Sequence, residues 1–142
     1  MNISEVERAD IDALLPLVQA DEMGIDPDAG TWIAARNDQG TMIGVARVTE
    51  IAGVRTIDDI WVVPEHRRKG VASGLIGHCQ IPLWLICDRD MIDFYERKGF
   101  RVVEPAEFPP PLAAFYESRG EWPAASNHAH FAMLLDVNSG TS

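Results

Sequence analysis

The stretch that most strongly indicates the fold is residues 62–72, Val-Val-Pro-Glu-His-Arg-Arg-Lys-Gly-Val-Ala. A long extended run over 54–63 ends at Pro64, the basic residues 67–69 follow, and apolar residues then recur at helical spacing after Gly70. Such a strand–turn–helix junction leaves helix N–H groups unpaired beside the positive end of the helix dipole. Gly70 and Ala72 let a ligand approach the backbone closely. The segment therefore predicts a cradle for a pyrophosphate group.

Other nucleotide-binding loops do not fit this stretch. The pattern GxxxxGK followed by Ser or Thr is absent, and so is the dinucleotide fingerprint GxGxxG. The strand before the turn is preceded by hairpin signals rather than by a βαβ unit. A basic strand-to-helix turn with a glycine kept for packing stays open as the structural alternative.

The rest of the chain predicts alternating strands and helices. We expect strands over 3–7, 31–36, 42–49, 54–63, 82–87, 100–103 and 131–137. We expect helices after Asp10, after Gly70, over 88–98 and over 112–119, with Pro16 delaying or kinking the first. The chain has 142 residues, which favours one domain, and we assign it to 1–137 with a polar tail over 138–142. This order of elements predicts an α/β domain built on a mixed sheet.

The charge of the chain is uneven. Acidic residues outnumber basic ones by 22 to 12, and the formal net charge is −10. That balance repels phosphate backbones and anionic lipid surfaces, which argues against nucleic-acid and membrane partners. Seven of the twelve basic residues nevertheless lie in 67–101, a window that carries +3. A positive window in an acidic chain indicates a small anionic ligand, with a chance cluster on a solvated face as the alternative.

Two blocks of sequence carry a resemblance to a known family. Arg67-x-x-Gly70-x-Ala72 resembles the (Q/R)xxGx(G/A) acyl-CoA motif of the GCN5-related N-acetyltransferases, the GNAT family. Residues 94–100, Phe-Tyr-Glu-Arg-Lys-Gly-Phe, are similar to a second segment of that family. The resemblance implies the acyl-CoA N-acyltransferase fold, a single three-layer αβα domain. Its twisted sheet would be mixed and largely antiparallel, with about six to seven strands.

The resemblance also implies a cosubstrate, acetyl-CoA. Backbone groups after Gly70, with Arg68 and Lys69, would hold the pyrophosphate of coenzyme A. The end of the preceding strand would pair with the pantetheine arm, and a main-chain N–H there would polarise the thioester carbonyl. The implied cofactor-binding residues are Trp61, Val62, Val63, Arg67, Arg68, Lys69, Gly70, Val71, Ala72 and Ser73.

Two catalytic residues complete the implied site. Tyr95 would protonate the departing thiolate, with a core aromatic as the alternative. Asp58 and Asp59 lie on an otherwise apolar strand, where a buried carboxylate is costly unless it is paired or has a functional role. Strand alternation puts them on opposite faces unless a bulge intervenes. Residues 56–62 are similar to the strand of polyamine acetyltransferases whose first acid is the general base, so we assign Asp58; an ion-paired acid, Asp59 or water alone stay open.

The implied activity is acetyl transfer from acetyl-CoA to a primary amine, by direct attack in a ternary complex. The acceptor would be a small molecule or a peptide, and a homodimer is left open. A non-catalytic acyl-CoA-binding module on the same fold is the first alternative, and a structural or interaction protein is the second. Arg89 stands where many relatives place an asparagine that contacts pantetheine. Aromatic residues such as Phe108, Tyr116 and Trp122 would either cover the acceptor or pack over the sheet.

The remaining candidates for chemistry are weaker. His128 and His130 share one strand face but lack a third ligand, so we predict no metal site. Cys87 sits in an apolar run, an inert setting for a thiol. Two cysteines do not make a disulfide framework, and the N-terminus lacks the pattern of a secretory signal. We therefore expect a cytoplasmic protein.

Overall fold

The computed structural model describes residues 1–21, 30–118 and 131–136. Within these ranges seven strands form one sheet in the order β1-β2-β3-β4-β5-β7-β6. The strands are β1 Asn2–Val6, β2 Thr31–Arg36, β3 Met42–Ile51, β4 Val54–Val62, β5 Leu83–Cys87, β6 Arg101–Val102 and β7 Phe131–Leu135. The α-helices are α1 Leu15–Asp21, α2 Val71–His78, α3 Ile92–Glu96 and α4 Pro110–Ser118. None of the described helices has both the length and the apolar character needed to cross a membrane.

The pairing of the strands confirms the predicted mixed, largely antiparallel sheet. Antiparallel pairs join β1 to β2, β2 to β3, β5 to β7, and β6 to β7. One parallel pair, with Thr56 opposite Trp84, joins β4 to β5. The loop after β2 is the predicted hairpin connection, because Asn37 N–H donates to the carbonyl of Thr41 at 2.9 Å.

Two helical segments differ from the prediction in their limits. The first begins as a 3₁₀ turn at Arg8–Ile11, and α1 starts only at Leu15. Pro16 therefore falls in the first turn of α1, where a missing N–H costs no hydrogen bond. The segment expected as one helix over 88–98 splits into a 3₁₀ turn, Arg89–Met91, and the short α3.

The chain divides into two compact units. The first comprises Met1–Thr49 with Ile57–Cys79, and the second comprises Glu50–Thr56 with Gln80–Ser142. The core of the first unit joins α1 to the sheet through Ile11, Leu15, Val18, Trp32, Ala34, Val45 and Trp61. The apolar positions of α1 recur every three or four residues, as an amphipathic helix requires.

The second unit has an aromatic core. Its buried cluster consists of Trp84, Val103, Phe108, Leu112, Tyr116, Ala132 and Leu134. Phe108 meets Trp84 edge to face at 5.7 Å and stacks on Tyr116 at 6.0 Å. Phe108 and Tyr116 are therefore core residues of this unit, as the packing alternative predicts. Trp122 lies outside the described residues.

Gly44 is needed in the first unit because α2 packs directly on β3. A Cβ added at Gly44 would come within 2.7 Å of Val71 Cγ1 and 3.3 Å of the Trp61 carbonyl oxygen. Leu75 Cδ1 would lie 3.4 Å away. Only glycine lets the first turn of α2 come this close to the strand.

We expect Gly44→Ala to destabilise the protein by about 1–3 kcal/mol, because the added methyl overpacks the helix–strand contact. Gly77→Ala in α2 is the matched control, since a Cβ there meets nothing within 4 Å. The control should be neutral or gain up to about 1 kcal/mol from helix propensity. Urea unfolding measures both; equal effects of the two variants would show that clearance at Gly44 is unimportant.

Candidate functional site

Arg67 fixes the turn between β4 and α2. After β4 the chain makes a 3₁₀ turn over Pro64–His66. The Arg67 side chain folds back, and its Nε donates to the carbonyl of Val62 at 2.8 Å. Its guanidinium carbon lies 5.8 Å from the centre of the Trp61 ring, within cation–π range. Of the three basic residues in the turn, Arg67 is thus held against the strand end.

The N-terminus of α2 presents backbone donors. Gly70 caps the helix at φ 86°, and a Cβ there would meet nothing within 4 Å. Glycine is therefore needed here for the left-handed backbone conformation, which strains other residues, and not for lack of space. The helical hydrogen bonds begin with Gly74 N–H donating to the carbonyl of Gly70 at 3.0 Å. The N–H groups of Val71, Ala72 and Ser73 precede that bond and have no acceptor within the helix.

Arg68 and Lys69 supply the positive charge beside these donors. Both side chains are exposed. In the part of the chain that the structure describes, neither makes an ion pair, a side-chain hydrogen bond or a ring contact. Arg68 has φ 64°, an uncommon value for a residue other than glycine. The arrangement joins backbone N–H donors, a helix dipole and two uncommitted cations, which together favour a multiply charged anion.

At the end of β4, one residue directs its backbone N–H away from β3. Val63 N–H donates to the carbonyl of Ile43 at 2.9 Å, so Val63 faces β3. Successive residues of a strand direct their N–H groups to opposite sides. Of Trp61, Val62 and Val63, the residue whose N–H is directed away from β3 is therefore Val62. It is the one suited to pair with an added extended chain or to donate to a carbonyl.

Asp58 and Asp59 meet the same cation. Arg47 on β3 donates from Nε to Asp59 Oδ2 at 2.7 Å, and its Nη1 lies 3.8 Å from Asp58 Oδ2. Thr49 Oγ1 donates to Asp58 Oδ2 at 2.6 Å. The side chains of Arg47, Asp58 and Asp59 are 7%, 14% and 12% exposed. The expectation that alternation separates the two carboxylates does not hold.

An extra residue in β4 explains how both carboxylates reach Arg47. Ala52 and Gly53 form the turn between β3 and β4 with φ 51° and 81°, so Ile51 and Val54 flank a two-residue hairpin turn. Val63 N–H bonds to the carbonyl of Ile43. On β4, Val63 lies nine residues from Val54, whereas on β3, Ile43 lies only eight residues from Ile51. One extra residue in one strand of an antiparallel pair is a β-bulge, which brings neighbouring side chains toward one side.

Tyr95 belongs to the second unit and lies on α3. Its ring is half-buried and meets Phe94 and Phe100 edge to face, at 5.1 and 5.7 Å. The Tyr95 carbonyl accepts from Lys98 N–H at 2.9 Å and Phe100 N–H at 3.1 Å, while Gly99 has φ 100°. These features form a glycine-terminated helix end. They fix the backbone and ring of Tyr95 and leave the role of its hydroxyl a prediction.

Comparison with known proteins places the chain in a family. The model of the acetyltransferase (GNAT) domain matches residues 27–102, more than half of the chain. The chain belongs to the GNAT family. A search of curated proteins found no match.

Solved structures of other GNAT proteins share the fold. A GNAT-family acetyltransferase from Staphylococcus aureus MU50 is 17% identical with a TM-score of 0.64, covering 95% of this chain and 99% of that one. Rv2747 from Mycobacterium tuberculosis, solved with CoA and NLQ, is 15% identical with a TM-score of 0.68, covering 96% and 99%. N-acetylglutamate synthase from Neisseria gonorrhoeae, with coenzyme A and N-acetyl-glutamate, is 16% identical with a TM-score of 0.67, covering 96% and 36%.

In this GNAT domain the residues that sequence reasoning missed are Arg47 and Thr49. Each is a polar residue on β3, and nothing near Thr49 in the sequence indicates its contact with Asp58. For Arg47 a signal was present. Arg47 follows the buried run of Val45 and Ala46, where a cation requires a carboxylate nearby.

The structure describes some of the remaining candidates for chemistry. Arg89 stacks on Phe131, with its guanidinium carbon 5.3 Å from the ring centre. His128 and His130 lie outside the described residues. Among residues 1–21, 30–118 and 131–136, no three His, Cys, Asp or Glu side chains gather in a metal-binding group.

Cys87 has the properties of a structural thiol. It is buried, and its Sγ lies 3.6 Å from Met133 Sδ. Burial, and secondarily the charge of Asp88, raises the pKa of the Cys87 thiol from 9.0 to about 11. A thiol with a raised pKa is a poor nucleophile at neutral pH.

The raised pKa of Cys87 predicts a loss of stability at alkaline pH. The folded state holds the thiol proton more tightly than the unfolded state. The contribution of the thiol is therefore complete below pH 9 and is lost as the pH rises from about 9 to about 11. In a Cys79→Ser background, the loss between pH 8 and pH 10 should be roughly 1 kcal/mol greater with Cys87 than with Cys87→Ala. Parallel pH dependence in urea unfolding would contradict the expectation.

Proposed function

We propose that the chain is an acetyl-CoA-dependent N-acetyltransferase that transfers the acetyl group to a primary amine by direct attack in a ternary complex. The observation that carries the proposal is the N-terminus of α2, where the N–H groups of Val71, Ala72 and Ser73 lie beside Arg68 and Lys69. Membership of the GNAT family, and neighbours of the same fold solved with coenzyme A, support the same cosubstrate.

The residues present fit the pyrophosphate of coenzyme A. The left-handed Gly70 exposes the start of α2, and no Cβ covers it. Backbone donors at a helix N-terminus recognise phosphate oxygens without needing a particular side chain. Arg67 would contribute indirectly, by holding the turn against Val62. Arg68 and Lys69 would supply the positive charge beside the phosphates. Trp61, Val62 and Val63 would form the edge that receives the pantetheine arm, with the Val62 N–H as the donor to the thioester carbonyl.

The transfer requires two proton movements, which we assign to two side chains. Acetyl-CoA supplies an acyl group activated as a thioester. The amine nitrogen forms a bond to the carbonyl carbon as the carbon–sulfur bond breaks. Asp58 would accept the proton of the attacking amine through water, and Tyr95 would give a proton to the departing thiolate. The role of Tyr95 rests on its place in residues 94–100, which resemble the family segment.

The charge of the chain favours a cationic acceptor. In their ordinary ionised forms Arg47, Asp58 and Asp59 together carry −1, and the whole chain carries −10. A negative protein attracts an amine that arrives as ammonium. A small molecule or a peptide with a primary amine is thus the proposed acceptor. A homodimer and a cytoplasmic location, which the two free cysteines favour, belong to the same proposal.

We expect Arg68→Ala and Lys69→Ala each to weaken coenzyme A binding by about tenfold, because each removes a charged donor to phosphate. Arg97→Ala is the matched control: it removes one exposed positive charge elsewhere and should change the affinity less than twofold. Isothermal titration with coenzyme A measures the affinity. No binding by the parent protein, or equal losses in all three variants, would refute the phosphate cradle.

Tyr95→Phe tests catalysis separately from binding. Loss of the proposed proton donor should lower kcat about a hundredfold while the affinity for acetyl-CoA stays within twofold. Tyr116→Phe, at the only other tyrosine of the chain, is the control and should keep its activity. Product formation from acetyl-CoA is measured with spermidine, glucosamine, lysine and a peptide N-terminus. Binding of acetyl-CoA without any acetylated amine would favour a non-catalytic acyl-CoA-binding module, and full activity of Tyr95→Phe would remove the role of Tyr95.

A further inference from the structure

The side chain of Arg67 contacts the backbone at the end of β4. We propose that Arg67 is a positioning residue: its guanidinium fixes the peptide between Val62 and Val63 and thereby orients the Val62 N–H for the thioester carbonyl. This role rests on the proposed acetyl transfer. It differs from the role of Arg68 and Lys69, which supply positive charge to the phosphates.

The peptide between Val62 and Val63 is held at both of its polar atoms. On one side, Val63 N–H donates to the carbonyl of Ile43 on β3 at 2.9 Å. On the other side, the Val62 carbonyl accepts from Arg67 Nε at 2.8 Å. Because a trans peptide is planar and its N–H and C=O point in opposite directions, the two bonds together fix the plane. A plane held at one atom could still tilt, so Arg67 supplies the second attachment.

The fixed peptide limits the orientation of the Val62 N–H. In a strand, the N–H and the C=O of one residue are directed to the same side. The Val62 carbonyl, which accepts from Arg67, therefore shares with the Val62 N–H the edge directed away from β3. Only the Cα of Val62 separates the two groups, so a fixed carbonyl restricts the directions that the N–H can take. A donor oriented in advance stabilises developing negative charge without having to reorganise.

An aromatic ring holds the Arg67 side chain in place. The guanidinium carbon lies 5.8 Å from the centre of the Trp61 ring, within range of cation–π attraction. Trp61 is 4% exposed and belongs to the core of the first unit, so its ring is a fixed surface. The guanidinium thus contacts β4 twice, through the ring of Trp61 and the carbonyl of Val62. These two contacts direct it toward the strand end.

The start of α2 is held by other contacts. Val71 in its first turn is 4% exposed, and Leu75 one turn later is fully buried. Both side chains pack beside Gly44 of β3. This apolar packing fixes the backbone donors of α2 without the help of Arg67. Loss of the Arg67 side chain should therefore disturb the strand end more than the donors to phosphate.

The test compares three replacements of Arg67. Arg67→Gln keeps an N–H donor on the atom after Cδ, where arginine carries Nε, and removes the charge. Arg67→Lys keeps the charge and moves the donor one atom further along the side chain. Arg67→Met removes both the donor and the charge. With acetyl-CoA at saturation, Arg67→Met should lower kcat about tenfold and Arg67→Lys about fivefold, while Arg67→Gln should stay within about twofold of the parent.

A second readout uses the part of coenzyme A that carries the phosphates. Adenosine 3′-phosphate 5′-diphosphate contains the pyrophosphate and lacks pantetheine, and isothermal titration measures its affinity. Arg67→Met should bind it within about twofold of the parent, whereas Arg68→Ala should lose about tenfold. Arg97→Met removes an exposed guanidinium elsewhere and is the control, which should leave both kcat and this affinity unchanged.

Amide hydrogen exchange in the protein alone measures the strand end directly. In Arg67→Met the Val63 N–H should exchange about fivefold faster, because its peptide has lost one of two attachments. Arg67→Gln should keep the parent rate. The Gly74 N–H, which bonds to the carbonyl of Gly70 in α2, is the internal control and should exchange at the same rate in every variant.

The outcomes separate this role from the proposed function. A parent protein that acetylates no amine would refute the proposed function, and the role of Arg67 in transfer would fall with it. An active parent whose kcat is kept by Arg67→Lys and lost by Arg67→Gln would overturn the positioning role alone, since the charge would then matter and the hydrogen bond would not. Equal losses of affinity for the phosphate fragment in Arg67→Met and Arg68→Ala, or unchanged exchange of Val63 in Arg67→Met, would also overturn it.

Discussion

A guanidinium buried as deeply as Arg47 must be paired inside the protein, and this requirement governs the hairpin of β3 and β4. An unpaired charge at 6% exposure would cost several kcal/mol (~3–5 kcal/mol when one partner of a buried pair is removed). β4 meets the requirement with two adjacent carboxylates, which strict alternation would have sent to opposite faces. The extra residue in β4 is what allows both to reach the same cation. The pairing of Arg47 and the irregular register are therefore two aspects of one arrangement.

The same extra residue determines which backbone group the strand end directs away from β3. In a regular two-residue hairpin, the residues flanking the turn bond to each other, and every second residue after Val54 then faces β3. Val62 would belong to that set. One added residue shifts this alternation by one position. The N–H of Val63 therefore bonds to Ile43, and the N–H of Val62 is directed away from β3. The carboxylate cluster and the proposed donor at Val62 thus depend on the same irregularity, although they lie at different points along β4.

Sequence reasoning succeeded where the determinants are local and failed where they are not. The strand over Thr31–Arg36 agrees with its prediction residue by residue, because its limits are marked by apolar pattern and turn residues. Gly70 was identified for the same reason. The register of β3 against β4 depends on a count along both strands, and no single window contains it. Arg47 and Gly44 were missed because their importance comes from partners on other elements: the carboxylates of β4 and the side chains of α2.

The interpretation of the positive charge in residues 67–101 also changes once the contacts of its basic side chains are known. Arg67 lies over Trp61, Arg89 over Phe131 and Lys98 over Phe94, while Arg101 faces Glu107 and Asp136. Four of the window's seven basic residues therefore have partners within the described fold. Of the other three, Arg68, Lys69 and Arg97, the two that lie beside the start of α2 are Arg68 and Lys69. Since the remaining donors there are backbone N–H groups, they do not depend on the exposed side chains of α2, whereas Gly70 must keep its left-handed conformation and Gly44 its clearance. A site built in this way needs few fixed side chains.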